Sequence, residues 1–429
     1  MQHNKLFGNR VRIYSFLLTV LVIWIHAVQP SVIYPEGSPF SDLWITAQRM
    51  LGTNLGQIAV PGFFVISGYL FFRGMGEQVC GGLSSGGYGV LPESVKAENA
   101  AGREDHTLFR FFIRKWKSRA RSLLIPYLVW NLIYYLIYLA AGRADLSLKT
   151  AFESIFLYRF NPVFWYLKQL ILLTLLTPLV WLLVQNRKAA LPALILLFLL
   201  GVFYDLLPFH IVNEDAFLYY ALGAAAALHL KGAVETDPPA AAVQAEISAG
   251  DKEKRRLPAV GGSKSETSAG DREAGAPSGK ESVNNDTKKS TCHTEKSWLG
   301  CFVATFFLYI LLQVLGSRAS LFGLMHPTVA ASIGCRIFGL ISLWALLRVL
   351  RAGRSTPGYM EYNFFTYATH YLVLRAVQHA AAFAGESALI SLTLYILMPA
   401  ICIAVSVCTG RFLQRHAPRL FSLLVGGRT

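Results

Sequence analysis

Charge is scarce in this sequence, and negative charge is scarcest. Only 15% of the 429 residues are Asp, Glu, Lys or Arg, while 54% are hydrophobic; a soluble domain carries nearer a quarter charged. The apolar runs hold no carboxylate in their middles: Asp205, Glu214, Asp215 and Glu386 stand at or beyond run ends. Carriers coupled to protons or sodium use a buried carboxylate, so the pattern argues against that class and leaves an anion carrier open. Cysteine pairs are missing too. The six cysteines include no CxxC spacing. Cys301, Cys335, Cys402 and Cys408 lie in apolar runs as small hydrophobes, so neither a disulfide framework nor a metal site is expected.

What the chain has instead is apolar length. Several runs reach about 20 residues, enough to cross a hydrocarbon core of roughly 30 Å, and such runs must be helical to pair their backbone groups. The spacing predicts an all-α bundle of ten transmembrane helices: Tyr14–Ser31, Gly56–Phe72, Leu123–Ala141, Val163–Val184, Ala189–Leu206, Ala216–Leu230, Trp298–Leu315, Thr328–Leu350, Phe364–Phe383 and Leu389–Thr409. The first run is longer than the apolar stretch of a signal peptide and includes a histidine, so it reads as a span that is kept.

The net charge of +15 is a topology signal rather than a nucleic-acid footprint. Lys5, Arg10 and Arg12, the cluster from Arg110 to Arg121, Arg187, Lys188, Arg348, Arg351, Arg354, Arg411, Arg415 and Arg419 fall in alternate loops, and the remaining loops are nearly free of basic residues. Orientation follows the basic loops, so both termini are expected in the cytoplasm. Residues 1–230 then carry six spans, with a Gly-, Ser- and Glu-rich loop insertion at 75–107. Residues 298–429 carry four more. Between them, 231–297 has almost no aromatic residues and reads as a disordered linker.

Ionisable groups inside apolar runs are costly and mark function by default. His26 lies about twelve residues into the first run, about 18 Å deep at 1.5 Å per residue. Lys168, Arg336, His370, Arg375 and His379 are the others. Each has a plainer reading: a histidine can be a hydrogen-bonded packing residue, and Lys168 can snorkel to the interface. Arg375 and His379 share a helix face, whereas His370 and His379 fall on opposite faces. A basic cavity without acids suits an anion, a phosphate or a developing oxyanion.

Seven motifs in order resemble those of the acyltransferase-3 membrane proteins, which include bacterial polysaccharide and lipopolysaccharide O-acetyltransferases. They are RIYSFLLTVLVIWIHA (12–27), VPGFFVISGYLFF (60–72), FIRKWKSRARSLLIPYLVW (112–130), NPVFWYLKQL (161–170), FLYYALG (217–223), FTYATH (365–370) and Gly426-Gly427-Arg428. The resemblance implies a multi-pass enzyme of the cell inner membrane. It would transfer an acyl group, usually acetyl, from acetyl-CoA as co-substrate to a hydroxyl of a cell-envelope glycan. No permanently bound cofactor and no nucleic-acid partner are implied.

His26 matches the catalytic histidine, and imidazole works as a base near neutral pH. Arg119 and Arg121 are the candidates for the CoA phosphates, with Lys115 and Lys117 in support and Arg12 nearby; guanidinium groups bind phosphate bidentately. Ser67, Tyr69, Trp165, Lys168, Arg336 and His370 are the pocket candidates. Trp165 and Tyr166 either stack on a sugar or adenine ring or form an interfacial aromatic belt. Ser15 stands where the family usually has a basic residue, eleven positions before the histidine; Arg12 is one turn earlier. Ser122 sits where a second basic residue often falls, and Lys168 where an Arg is frequent. An anion or glycan exporter, and an inactive membrane scaffold that uses the linker to bind a partner, are the other functions such a bundle serves.

Overall fold

Apolar runs bounded by basic residues leave the backbone one option in lipid, and helices are what the chain forms. A computed structural model describes residues 2–28, 39–75, 108–204, 215–235, 281–382 and 387–428. Among these there is no strand. The helices are α1 (Gln2–Ala27), α2 (Pro39–Ala47), α3 (Ala59–Phe72), α4 (Leu108–Ala140), α5 (Leu148–Leu157), α6 (Trp165–Leu175), α7 (Thr177–Val184), α8 (Arg187–Val202), α9 (Ala216–His229), α10 (Lys231–Glu235), α11 (Glu281–Leu321), α12 (Met325–Val349), α13 (Asn363–Ala382), α14 (Ala388–His416) and α15 (Pro418–Val425). The chain is an all-α, polytopic membrane bundle.

Six helices are long and apolar enough to cross a membrane, or seven if the bent pair α6–α7 counts as one, against ten expected. The other three expected spans fall on α8, α9 and α13. At 14 residues, α9 is about 21 Å long and is largely enclosed by its neighbours. α13 has 20 residues but carries Thr366, Thr369, His370, Arg375, Gln378 and His379, the polar load of a helix that faces a site. The insertion expected at 75–107 lies outside the described residues beyond Met75, as does most of the 231–297 segment. The first residues of that segment form α10, and α11 begins inside it at Glu281.

Two prolines shape the middle of the bundle. Pro178 has no N–H for the Thr174 carbonyl, so the chain bends by 64° between α6 and α7. The freed carbonyl accepts from the Trp116 indole at 2.8 Å and the Thr177 hydroxyl at 2.8 Å, as a membrane interior demands. This ties the basic half of α4 to the break. Within α4, Pro126 likewise cannot bond back to Ser122. The turn Ala120–Leu124 widens into a π-helix, with Ile125 N–H on the Ala120 carbonyl. Such bulges rotate the residues before them relative to those after; here they separate the phase of Arg119 from that of Tyr127.

α3 and α9 meet backbone on backbone. A Cβ at Gly68 in α3 would lie 2.1 Å from the Tyr220 carbonyl oxygen, and one at Gly223 in α9 would lie 2.0 Å from that of Val65. Small residues allow this approach in membrane helices. α1 packs against α3, α13 and α14, while Gly52 and Gly56, on the helical turns that join α2 to α3, let those turns pass Val28 and Ile25.

Gly223→Ala is therefore expected to force α3 and α9 apart, at a cost of about 1–3 kcal/mol. Gly300→Ala, in α11 with nothing near its added methyl, should be neutral or slightly stabilising. Thermal melting of the two purified variants in detergent checks this, and equal midpoints would contradict it.

Candidate active site

His26 occupies the last turn of α1, remote from the basic residues that open the helix. α13 presents two consecutive side chains to it. The His370 ring centroid is 5.5 Å from that of His26, and Tyr371 meets it edge-on at 6.3 Å. His26 is partly accessible and His370 fully buried. His370 Nδ1 lies 2.6 Å from the Tyr367 carbonyl. A carbonyl only accepts, so Nδ1 carries the proton. Nε2 is then an acceptor, and it has no partner among the described residues.

From His370 a row of rings runs back along α13. Tyr367 is 5.9 Å away, and Tyr166 stands edge-on to Tyr367 at 6.0 Å. Phe164 stacks on Tyr367 at 5.8 Å, and Phe64 closes on Tyr166 at 4.8 Å. The Tyr367 hydroxyl donates to the Val163 carbonyl at 2.7 Å, which fixes α13 against the start of α6. The Ser67 hydroxyl pairs with that of Tyr166.

The row ends on two guanidinium groups. Arg119 of α4 and Arg428, just after α15, both lie in the field of Tyr166 and of each other. Arg119 also acts on Tyr220, whose hydroxyl is paired with Thr174. Arg428 stands 4.0 Å over the Phe364 ring. It keeps exposed surface. Desolvation by the surrounding protein, and then the like charge of Arg119, pulls its pKa down to about 10. Among the described residues no carboxylate pairs with either arginine.

The structure thus brings His26, His370, Ser67 and Arg119 into one continuous feature. Lys115, one turn before Arg119, lies over the Phe71 and Phe111 rings at 5.9 and 5.4 Å. Arg121 is exposed, on the widened turn. Trp165 packs against the core beside Tyr166, and Lys168 sits over the Tyr158 ring at 5.2 Å. The other candidates are occupied elsewhere. Arg12 pairs with Glu361 at 3.4 Å. The Tyr69 hydroxyl donates to Glu235 at 2.7 Å, and Arg73 grips the same carboxylate with two bonds of 2.7 and 2.8 Å. Burial works to raise the Glu235 pKa, but the hydrogen bonds from Arg73 and Tyr69 outweigh it and hold the carboxyl below its usual range. Arg336 is ion-paired with Asp215, so it is neutralised rather than open to an anion.

Arg428, Tyr367 and Tyr371 were not among the expected site residues. A signal existed for Arg428: the two glycines before it, both at positive φ of 65 and 69°, end α15 and turn the chain back. The tyrosines flank His370 in sequence and needed only its helix to be placed.

A family model described as an acyltransferase domain matches residues 16–411, so that Arg428 lies just beyond the matched stretch. Comparison with curated proteins gives no match, and comparison with solved structures gives none either.

Removing one partner of this part-buried ion pair leaves the other uncompensated. Asp215→Ala is expected to cost about 1–3 kcal/mol, seen as a lower melting midpoint, and Asp215→Leu combined with Arg336→Met should regain most of it. Equal loss in the single and double variants would refute the pairing as the reason both charges are tolerated.

Proposed function

Because the chain belongs to the acyltransferase-3 family, and is therefore a multi-pass membrane acyltransferase, we propose that it moves an acyl group, most simply acetyl, from acyl-CoA to a hydroxyl of a cell-envelope glycan. The observation that carries this reading is the ring row joining an acid-free pair of guanidinium groups at one end to a pair of histidines at the other. Arg119, with Lys115 a turn away, suits a phosphate-bearing donor. Tyr367 and Tyr166 flank the route an acyl arm would follow. His26 meets the acceptor.

In this reading the acceptor hydroxyl attacks the thioester carbonyl while His26 takes its proton. A C–O bond forms, the C–S bond breaks, and the thiolate leaves with the proton that His26 returns. His370 holds its own proton on Nδ1 toward Tyr367, so its free Nε2 is suited to receive a hydrogen bond from His26 or from a water between them. That bond would fix the His26 tautomer, as second groups do in imidazole bases generally. The basic loops favour cytoplasmic termini, and in this reading the donor end of the row faces that side of an inner membrane and the acceptor end the other. The acid-free interior favours this chemistry over a cation-coupled carrier.

His26→Ala should lower acyl transfer by about a hundredfold or more with the melting midpoint unchanged. Arg119→Gln should raise the KM for acyl-CoA about tenfold, the loss of a charge-assisted hydrogen bond, and leave the KM for the acceptor alone. Full activity in purified His26→Ala would remove the base assignment, and an unchanged acyl-CoA KM in Arg119→Gln would remove the phosphate site.

A further inference from the structure

We infer that Arg428 is a second phosphate-binding residue of the donor site, delivered by the folded-back helix α15 so that it forms with Arg119 a two-guanidinium cradle for a diphosphate group. This rests on the donor reading and extends it to a residue that no span carries.

The route by which Arg428 arrives is specific. α15 lies along α4, held by the Trp130 indole donating to the Leu424 carbonyl at 3.0 Å and by Phe421 against Phe365 and Tyr362 at 5.7 and 5.8 Å. Gly426, at φ +65°, seats on the widened turn of α4. A Cβ there would lie 2.8 Å from both the Cα and the carbonyl oxygen of Ser122, and 2.9 Å from the Pro126 ring. Only glycine accepts both that φ and that approach. Two residues later Arg428 is over Phe364, and Arg119 is one turn before Ser122 on the helix that Gly426 touches. Two like charges are thus set in each other's field with no described carboxylate paired to either. Two such charges repel, and a bound dianion would offset that repulsion. Two planar forks also fit a diphosphate better than a single phosphate. A phospholipid headgroup has phosphate chemistry too; the position of the pair at the end of the ring row, where an acyl arm would start, favours the donor.

The full-length protein in phosphatidylcholine nanodiscs, titrated with CoA, tests this. Arg428→Gln and Arg119→Gln should each weaken CoA binding roughly ten- to a hundredfold, and Arg428→Lys should recover only part, because an ammonium is a point charge rather than a fork. Should Arg428→Gln fail to fold, the wild-type protein gives a second readout: phenylglyoxal should modify Arg428, and CoA should protect it. A CoA affinity within twofold of wild type in folded Arg428→Gln would overturn the cradle and leave the donor reading standing. Protection of Arg428 by phosphatidylglycerol but not by CoA would assign the site to lipid and overturn it as well. A wild-type protein that binds no CoA would bring down the donor reading itself.

Discussion

The arrangement depends on one backbone crossing. Gly68 and Gly223 let α3 and α9 touch carbonyl to Cα, and the side chains next to those glycines inherit their positions from that contact. Ser67 precedes Gly68 and faces Tyr166; Tyr220 supplies the carbonyl against Gly68 and lies in the field of Arg119. A helix pair separated by ordinary side chains would hold these groups farther apart. In lipid such close packing must come from contact and polar pairing, because the solvent gives no hydrophobic drive between helices.

Two prolines do the complementary work of placing what the helices alone would misplace. Each removes a backbone bond, and each freed carbonyl region is covered by another part of the chain. The Thr174 carbonyl takes the Trp116 indole and so anchors the basic part of α4; the backbone around Ser122 is covered by Gly426 of the segment that carries Arg428. Breaks in membrane helices survive only where the loose groups are re-satisfied. Here the covering segments carry side chains of the candidate site with them.

Much of this was legible along the sequence. Apolar runs marked the helices, and a histidine deep in the first run marked His26. Ionisable residues marked Phe364–Phe383 as a span with functional suspects, and the polar load explains why α13 falls short of a purely apolar span. What could not be read was pairing across the chain. Arg336 looked like an open cation because its partner, Asp215, stands at the start of a helix more than a hundred positions away. Arg12 looked like a donor ligand until the fold set it beside Glu361. The meeting of His26 with His370 joins residues from α1 and α13. Arg428 closes the last of the seven motifs, but its place near Arg119 depends on the fold-back of α15, which hydropathy does not report.

In the proposed reading, the row of rings separates charge from proton transfer. The guanidinium groups stand at one end, and Tyr166, Tyr367 and Phe164 put apolar faces between them and His370. Were cations packed directly against the histidine pair, their field would oppose the positive charge that an imidazole gains as a base. Set beyond Tyr166 and Tyr367, they would oppose that charge less in the proposed reading while remaining available to an anionic donor. Of the same rings, Tyr367 is held by its hydroxyl on the Val163 carbonyl, and Tyr166 stands beside Ser67. A carboxylate at either end would disturb that division, by neutralising the proposed donor site or by competing with the proposed base. The scarcity of Asp and Glu in the apolar runs, the first feature of the sequence, fits that proposed division.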